Sequence, residues 1–192
     1  MDAGQSAALI RSVCVFCGSA VGRNAQFVDV ARELGAGLAR HNLALVYGGA
    51  RHVLMGVLAD AALLHHGRVV GVMPDSLMER EIAHPGLTEL HVVPSMHARK
   101  ARMADLSDAV VMLPGGLGTL DEMFEMWTWS VLGIHTRPMA LLNAGGYFGP
   151  LLFMLERMVH DGFVRPADAA RVQVHERVDA LLDSLLAGAE HG

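Results

Sequence analysis

Short apolar runs alternate along the chain with longer segments whose apolar residues recur every three or four positions. The runs predict strands at Ser12–Phe16, in LALVYGG up to Gly48-Gly49, in RVVGVMP up to Pro74, in LHVVP, at Ala109–Leu113, in PMALLN and in RVQVH. The periodic segments predict helices. One spans Asn24–Asn42, with Asn24 as its cap and Phe27, Val28, Ala31, Leu34 and Leu38 on one face. Others lie in VLMGVLADAALLHHG, in MHARKARMADLS behind Ser95 as cap, from Thr119 to about Leu132, in GYFGPLLFMLERMVHDGFV and in ERVDALLDSLLAGA. The segment DSLMEREIAHPGLTEL is less regular, and there is no linker, repeat or low-complexity tract. Strands that alternate with helices from end to end predict an α/β fold: a Rossmann-like, doubly wound, mostly parallel sheet with helices on both faces. A single domain over 12–188 is expected, with residues 1–11 as a flexible tail.

In such a sheet ligands sit beyond the carboxyl ends of the strands, where strand order reverses. Gly18-Ser19, Gly48-Gly49 and Gly115-Gly116 all follow strand ends, so they are expected to line one site. The strongest of these turns is Pro114-Gly115-Gly116-Leu117-Gly118-Thr119. Strand, glycine turn and helix together bring backbone N–H groups close to a ligand and can bind a phosphate. The turn after the first strand, CGSAVGRN, does not fit the dinucleotide pattern G-x-G-x-x-G, and no G-x-x-x-x-G-K-[ST] is present. Asp121 and Glu122 fall in what reads as the first helical turn, where acids complement the helix dipole. A carboxylate beside a phosphate site can also bind ribose hydroxyls or act on water. Glu125 follows three residues later on roughly the same face.

Composition narrows the function classes. Hydrophobic residues make up 52% of 192, yet no apolar run approaches the roughly 20 residues of a membrane helix. The surplus is spread over amphipathic segments, to be absorbed by a core and by subunit contacts. A net charge of −5 argues against nucleic-acid binding, and the local basic cluster HARKAR, His97–Arg102, suits a small anion better than a polymer. Cys14 and Cys17 cannot complete a zinc site, and on a strand they would face opposite ways, against a redox pair. The N-terminal residues lack the pattern of a secretory signal, so a cytoplasmic location is expected.

PGGLGTLDE, Pro114–Glu122, matches PGGxGTxxE, and SMHARKARM, Ser95–Met103, carries M-x-x-R-K-x-x-M. With CVFCGS, VYGG, LMG, GVMPDSLMEREI, TWSVLGIHTRP and LLNAGGYFGPLL, the chain resembles the LOG-type proteins from about Val13 to Val164. These are the cytokinin riboside 5′-monophosphate phosphoribohydrolases, often filed under the name lysine decarboxylase. The resemblance implies a homodimer that hydrolyses the N-glycosidic bond of a nucleoside 5′-monophosphate, with neither metal nor organic cofactor. It also implies Arg99 and Glu122 as the catalytic pair. Glu81, Lys100, Gly115, Gly116, Leu117, Gly118, Thr119, Leu120, Asp121 and Thr128 would line the nucleotide site, joined by Gly18, Ser19, Gly48 and Gly49 from the glycine turns.

That chemistry builds oxocarbenium-like charge on the ribose, which a carboxylate stabilises while it handles the water. Lysine decarboxylation fits poorly, because the sole lysine, Lys100, lies inside the Arg-Lys element. Hydrolysis of plain purine monophosphates such as AMP, or nucleotide binding without turnover, are the competing readings. The second turn departs from the family pattern GGGxxGLMG: it reads GGARHVLMG, with Ala50 and Val53 in place of glycines. Both are expected to take ordinary backbone conformations.

Overall fold

In the computed structural model, which describes residues 9–78 and 82–188, every predicted strand is present. They are β1 (Ser12–Phe16), β2 (Ala44–Tyr47), β3 (Val69–Pro74), β4 (Glu89–Val93), β5 (Ala109–Met112), β6 (Met139–Leu142) and β7 (Val172–His175). Their order is β4-β3-β2-β1-β5-β6-β7, and every pairing of these strands is parallel, as the expected doubly wound sheet requires. β2, β3, β5 and β6 are buried throughout, whereas the edge strands β4 and β7 are partly exposed. That is what continuous apolar runs encode in a sheet covered on both faces.

The helices are α1 (Gln26–Arg40), α2 (Val53–Leu64), α3 (Asp75–Met78), α4 (Met96–Asp105), α5 (Leu117–Val131), α6 (Gly149–His160), α7 (Pro166–Ala169) and α8 (Val178–Gly188). Strand side chains alternate between two cores. Val13, Val15, Leu45 and Val111 pack with Leu34 of α1, Leu58 of α2 and Leu181 of α8. Cys14, Phe16, Val46 and Val110 pack on the other face with Met103 of α4, Met126 of α5 and Leu155 of α6. None of the helices among the described residues is long and apolar enough to cross a membrane.

Several boundaries differ from the sequence reading. Ala25, not Asn24, is the N-cap of α1; the Asn24 carboxamide accepts from the Gln26 N–H at 3.0 Å and makes a local turn instead. The Ser95 hydroxyl does cap α4, accepting from Ala98 N–H at 3.1 Å. The short α3 and α7 were not predicted, since four residues carry no readable period. Ile10 is buried in the core and the Arg11 N–H donates to Asp108, so these residues join the fold rather than the tail assigned to them. The remainder of that tail, 1–8, lies outside the described residues.

Strand order reverses at β1, between β2 and β5, and the turns after β1 and β5 touch there. The Gly18 N–H donates to the Pro114 carbonyl at 3.1 Å. A Cβ on Gly115 would lie 2.7 Å from Gly18 N and 2.1 Å from Thr119 Oγ1, so only glycine permits this approach.

Candidate functional site

α4 and α5 face each other across the carboxyl edge of the sheet and carry the charged residues of the two sequence motifs. Arg99 is buried: its Nε donates to the Val72 carbonyl at 3.1 Å and its Nη1 to Glu122 Oε1 at 3.2 Å. A Cβ on Gly48 would stand 2.0 Å from Arg99 Nη2, so Gly48 leaves room for the guanidinium. This gives the second glycine turn a packing reason that the sequence reading had assigned to a ligand. Gly49 has φ +83°, and its carbonyl accepts from the His84 N–H at 2.9 Å, beside an Ala50 to Ala83 bridge that closes this turn.

Glu122 is only 8% exposed. Burial pushes its pKa up to about 7; Arg99 and Lys100 oppose that shift, while Asp121 and Glu125 add to it. Lys100 is also buried, with Nζ 2.7 Å from Glu125 Oε2 and 3.0 Å from Asp121 Oδ2. Burial pulls the Lys100 pKa down, but the bonds to Glu125 and Asp121 outweigh it and hold it above the usual value. Sequence reasoning placed Glu125 near the site without giving it a role; here it is the shorter of the two contacts to Lys100.

α5 begins at Leu117, behind Gly116, and not at Thr119. Asp121 and Glu122 therefore lie past its first turn, and the helix dipole does not account for either. The first bond of the helix runs from the Leu120 N–H to the Gly116 carbonyl at 3.1 Å, which leaves the N–H groups of Leu117, Gly118 and Thr119 without intrahelical partners. A Cβ on Gly116 or Gly118 would meet nothing within 4 Å, so packing does not demand glycine at either place. Open space over unpaired N–H donors is what a bound anion needs.

The remaining predicted residues divide. Ser19 is exposed beside Gly18 at the switch point, Leu117 is 87% exposed, and Thr119 is buried against Gly115. Leu120 turns its side chain toward the core and spends its N–H inside the helix. Thr128 is exposed, roughly 9 Å along the axis from Glu122, and the structure does not bring it to the glycine turn. Glu81 lies outside the described residues. Tyr147, which the sequence reading passed over, donates its hydroxyl to the Gly115 carbonyl.

Cys14 and Cys17 are free, buried and on opposite faces of the sheet, and burial pushes both thiols up, Cys17 to about 12. Neither serves as a reactive thiol. A cavity of about 630 Å³ lies elsewhere, between α6, α7 and β7, with Trp127, Leu152, Pro166 and Val172 in its walls. It is mostly apolar and contains none of the charged cluster.

Residues 55–185, more than half of the chain, match the family described as "Possible lysine decarboxylase". A cytokinin riboside 5′-monophosphate phosphoribohydrolase of Rhodococcoides fascians is 49% identical over 176 residues, covering 91% of this chain and 89% of that protein. The chain belongs to the LOG family. A LOG-family phosphoribohydrolase of Arabidopsis thaliana with the same name is 46% identical over 156 residues, 81% of this chain and 73% of that one. Among solved structures, the molybdenum cofactor carrier protein of Chlamydomonas reinhardtii superposes with a TM-score of 0.71 over 92% of this chain and 98% of its own. At 22% identity that likeness shows the fold and nothing about activity. In this LOG-family chain the second turn is where the sequence expectation divides. Ala50 has an ordinary backbone conformation, but Val53 sits at φ +55°, a left-handed conformation that a β-branched residue rarely adopts.

Proposed function

We propose that the protein hydrolyses the N-glycosidic bond of cytokinin-type nucleoside 5′-monophosphates, releasing the free base and ribose 5-phosphate. The observation that carries this reading is the buried Arg99 to Glu122 pair, at the switch point beside the open N-terminus of α5. The relatives' printed activity at 46–49% identity supports the substrate class.

The 5′-phosphate would rest on the N–H groups of Leu117, Gly118 and Thr119, with Gly116 and Gly118 giving it close access. Glu122, further along α5, would then face the ribose. Its ionised carboxylate stabilises the positive charge that grows as the bond from C1′ to the base nitrogen breaks. Water adds its oxygen to C1′ and gives a proton to Glu122, the departing base takes up a proton from solvent, and Glu122 returns its own to solvent for the next turnover. With a pKa of about 7, Glu122 can gain and lose that proton near neutrality. Arg99 fixes the carboxylate and keeps part of it ionised despite burial. Lys100, occupied by Glu125 and Asp121, would act on the nucleotide by holding α4 to α5.

The working unit would be a cytoplasmic homodimer. Exposed Leu132, Ile134, Phe153, Met154 and Phe163 supply apolar surface for a second subunit. The test is to incubate the pure protein with AMP, with an N6-prenylated AMP and with the matching nucleosides, and to measure base and ribose 5-phosphate. Base release that needs the 5′-phosphate and favours the prenylated nucleotide is expected. Equal turnover of nucleoside and monophosphate would remove the phosphate from the mechanism, and tight binding without release would make the protein a nucleotide sensor or carrier.

A further inference from the structure

We propose that Tyr147 is a positioning residue for the 5′-phosphate, acting through the Gly115 to Gly116 peptide. The inference rests on the reading of the α5 N-terminus as the phosphate site. Tyr147 stands on the turn between β6 and α6, and its phenol reaches the turn after β5, where the hydroxyl donates to the Gly115 carbonyl. Across a trans peptide the carbonyl and the next N–H point in opposite directions. Holding the Gly115 oxygen toward Tyr147 therefore turns the Gly116 N–H the other way, adding it to the donors of Leu117, Gly118 and Thr119.

Gly115 itself packs closely against Gly18 and Thr119, but among the described residues no other hydrogen bond holds that peptide. A Cβ on Gly116 would meet no atom within 4 Å, so neighbouring side chains do not restrain the Gly116 side of it. A peptide between two glycines flips readily. Once flipped, it would present a carbonyl oxygen to the anion instead of an N–H, which repels a phosphate.

The phenol, by contrast, is well anchored. Its ring meets Phe27 edge-on at 5.4 Å and Phe148 at 5.1 Å. Its backbone is set by Gly145 and Gly146, both at positive φ, and by Asn143, whose carboxamide accepts from the Phe148 N–H at 2.7 Å. Gly145 lies so close to α1 that a Cβ there would be 2.8 Å from the Gln26 side chain. Through its ring and its hydroxyl, Tyr147 thus links the β6 turn, the start of α1 and the glycine turn.

Tyr147→Phe removes only the hydroxyl. Phe27→Leu is the companion variant: it loosens the ring packing and leaves the hydroxyl. Calorimetry with ribose 5-phosphate and with free adenine, together with melting temperatures, separates the possibilities. Tyr147→Phe should weaken ribose 5-phosphate binding about tenfold, leave adenine binding unchanged and scarcely move the melting temperature. Phe27→Leu should lower the melting temperature with a smaller effect on ribose 5-phosphate. If wild type binds ribose 5-phosphate and Tyr147→Phe binds it equally well, or if both variants weaken ribose 5-phosphate and adenine alike, the role assigned to Tyr147 is wrong while the phosphate site stands. If wild type itself binds no ribose 5-phosphate, the phosphate site fails and Tyr147 fails with it.

Discussion

At Glu122 the burial that would suit its proposed catalytic role works against stability once the carboxylate ionises. Its folded-state pKa of about 7 exceeds the ordinary 4.5, so between those values the native chain binds this proton more tightly than the unfolded chain. Its contribution to stability is fully present below pH 4.5 and is lost as pH rises through 7. Glu122→Gln imitates the protonated acid. Its melting temperature should therefore gain on wild type more at pH 8 than at pH 5; an equal gain at both would contradict a raised pKa. Val53 is the other residue under tension. At φ +55° it carries a cost of about 1–2 kcal/mol that glycine avoids, so Val53→Gly, after the extra unfolded-state entropy of glycine is subtracted, should raise the melting temperature by about 2–4 °C. Ala50→Gly should lower it, because Ala50 is buried in an ordinary conformation. The sequence marked both positions as unusual, but Ala and Val both ordinarily take negative φ, so residue type could not separate them.

Among the elements, the strands and their glycine turns were legible because continuous apolar runs ending in Gly are local signals. What each glycine is for was not. Gly115 and Gly18 allow two turns to touch, Gly48 clears Arg99 from a distant helix, and Gly116 and Gly118 leave open space. These reasons depend on contacts between segments far apart in sequence. Gly48→Ala tests the distinction: its Cβ would displace the flexible end of Arg99 without striking backbone. The variant should fold with a melting temperature within a few degrees of wild type and lose about tenfold or more in kcat, with little change in ribose 5-phosphate affinity. A fall in ribose 5-phosphate affinity at unchanged kcat would return Gly48 to the ligand-lining role the sequence suggested. The start of α5 was misread for a related reason. Gly118 looks like a helix breaker, yet at the second helical position it is tolerated, and the helix begins two residues earlier than Thr119.

For the whole molecule, the alternation of strands and helices led to the doubly wound sheet, and the all-parallel order places the β1 and β5 turns at the reversal point. The Arg99 to Glu122 pair could be named from its motifs. Its linkage to Val72, Gly48, Lys100 and Glu125 needed the assembled fold. The central claim is that this buried pair breaks a glycosidic bond in a nucleotide held by its phosphate. The most direct measurement is steady-state release of ribose 5-phosphate from N6-prenylated AMP by wild type and Glu122→Gln across pH 5–9, with nucleotide affinity measured separately by calorimetry. Wild type should show a rise in kcat through a pH near 7 as Glu122 ionises. Glu122→Gln should bind the nucleotide normally, lose that rise and turn over roughly a hundredfold more slowly or worse. A Glu122→Gln enzyme with near-normal kcat and an unchanged pH profile would contradict the account.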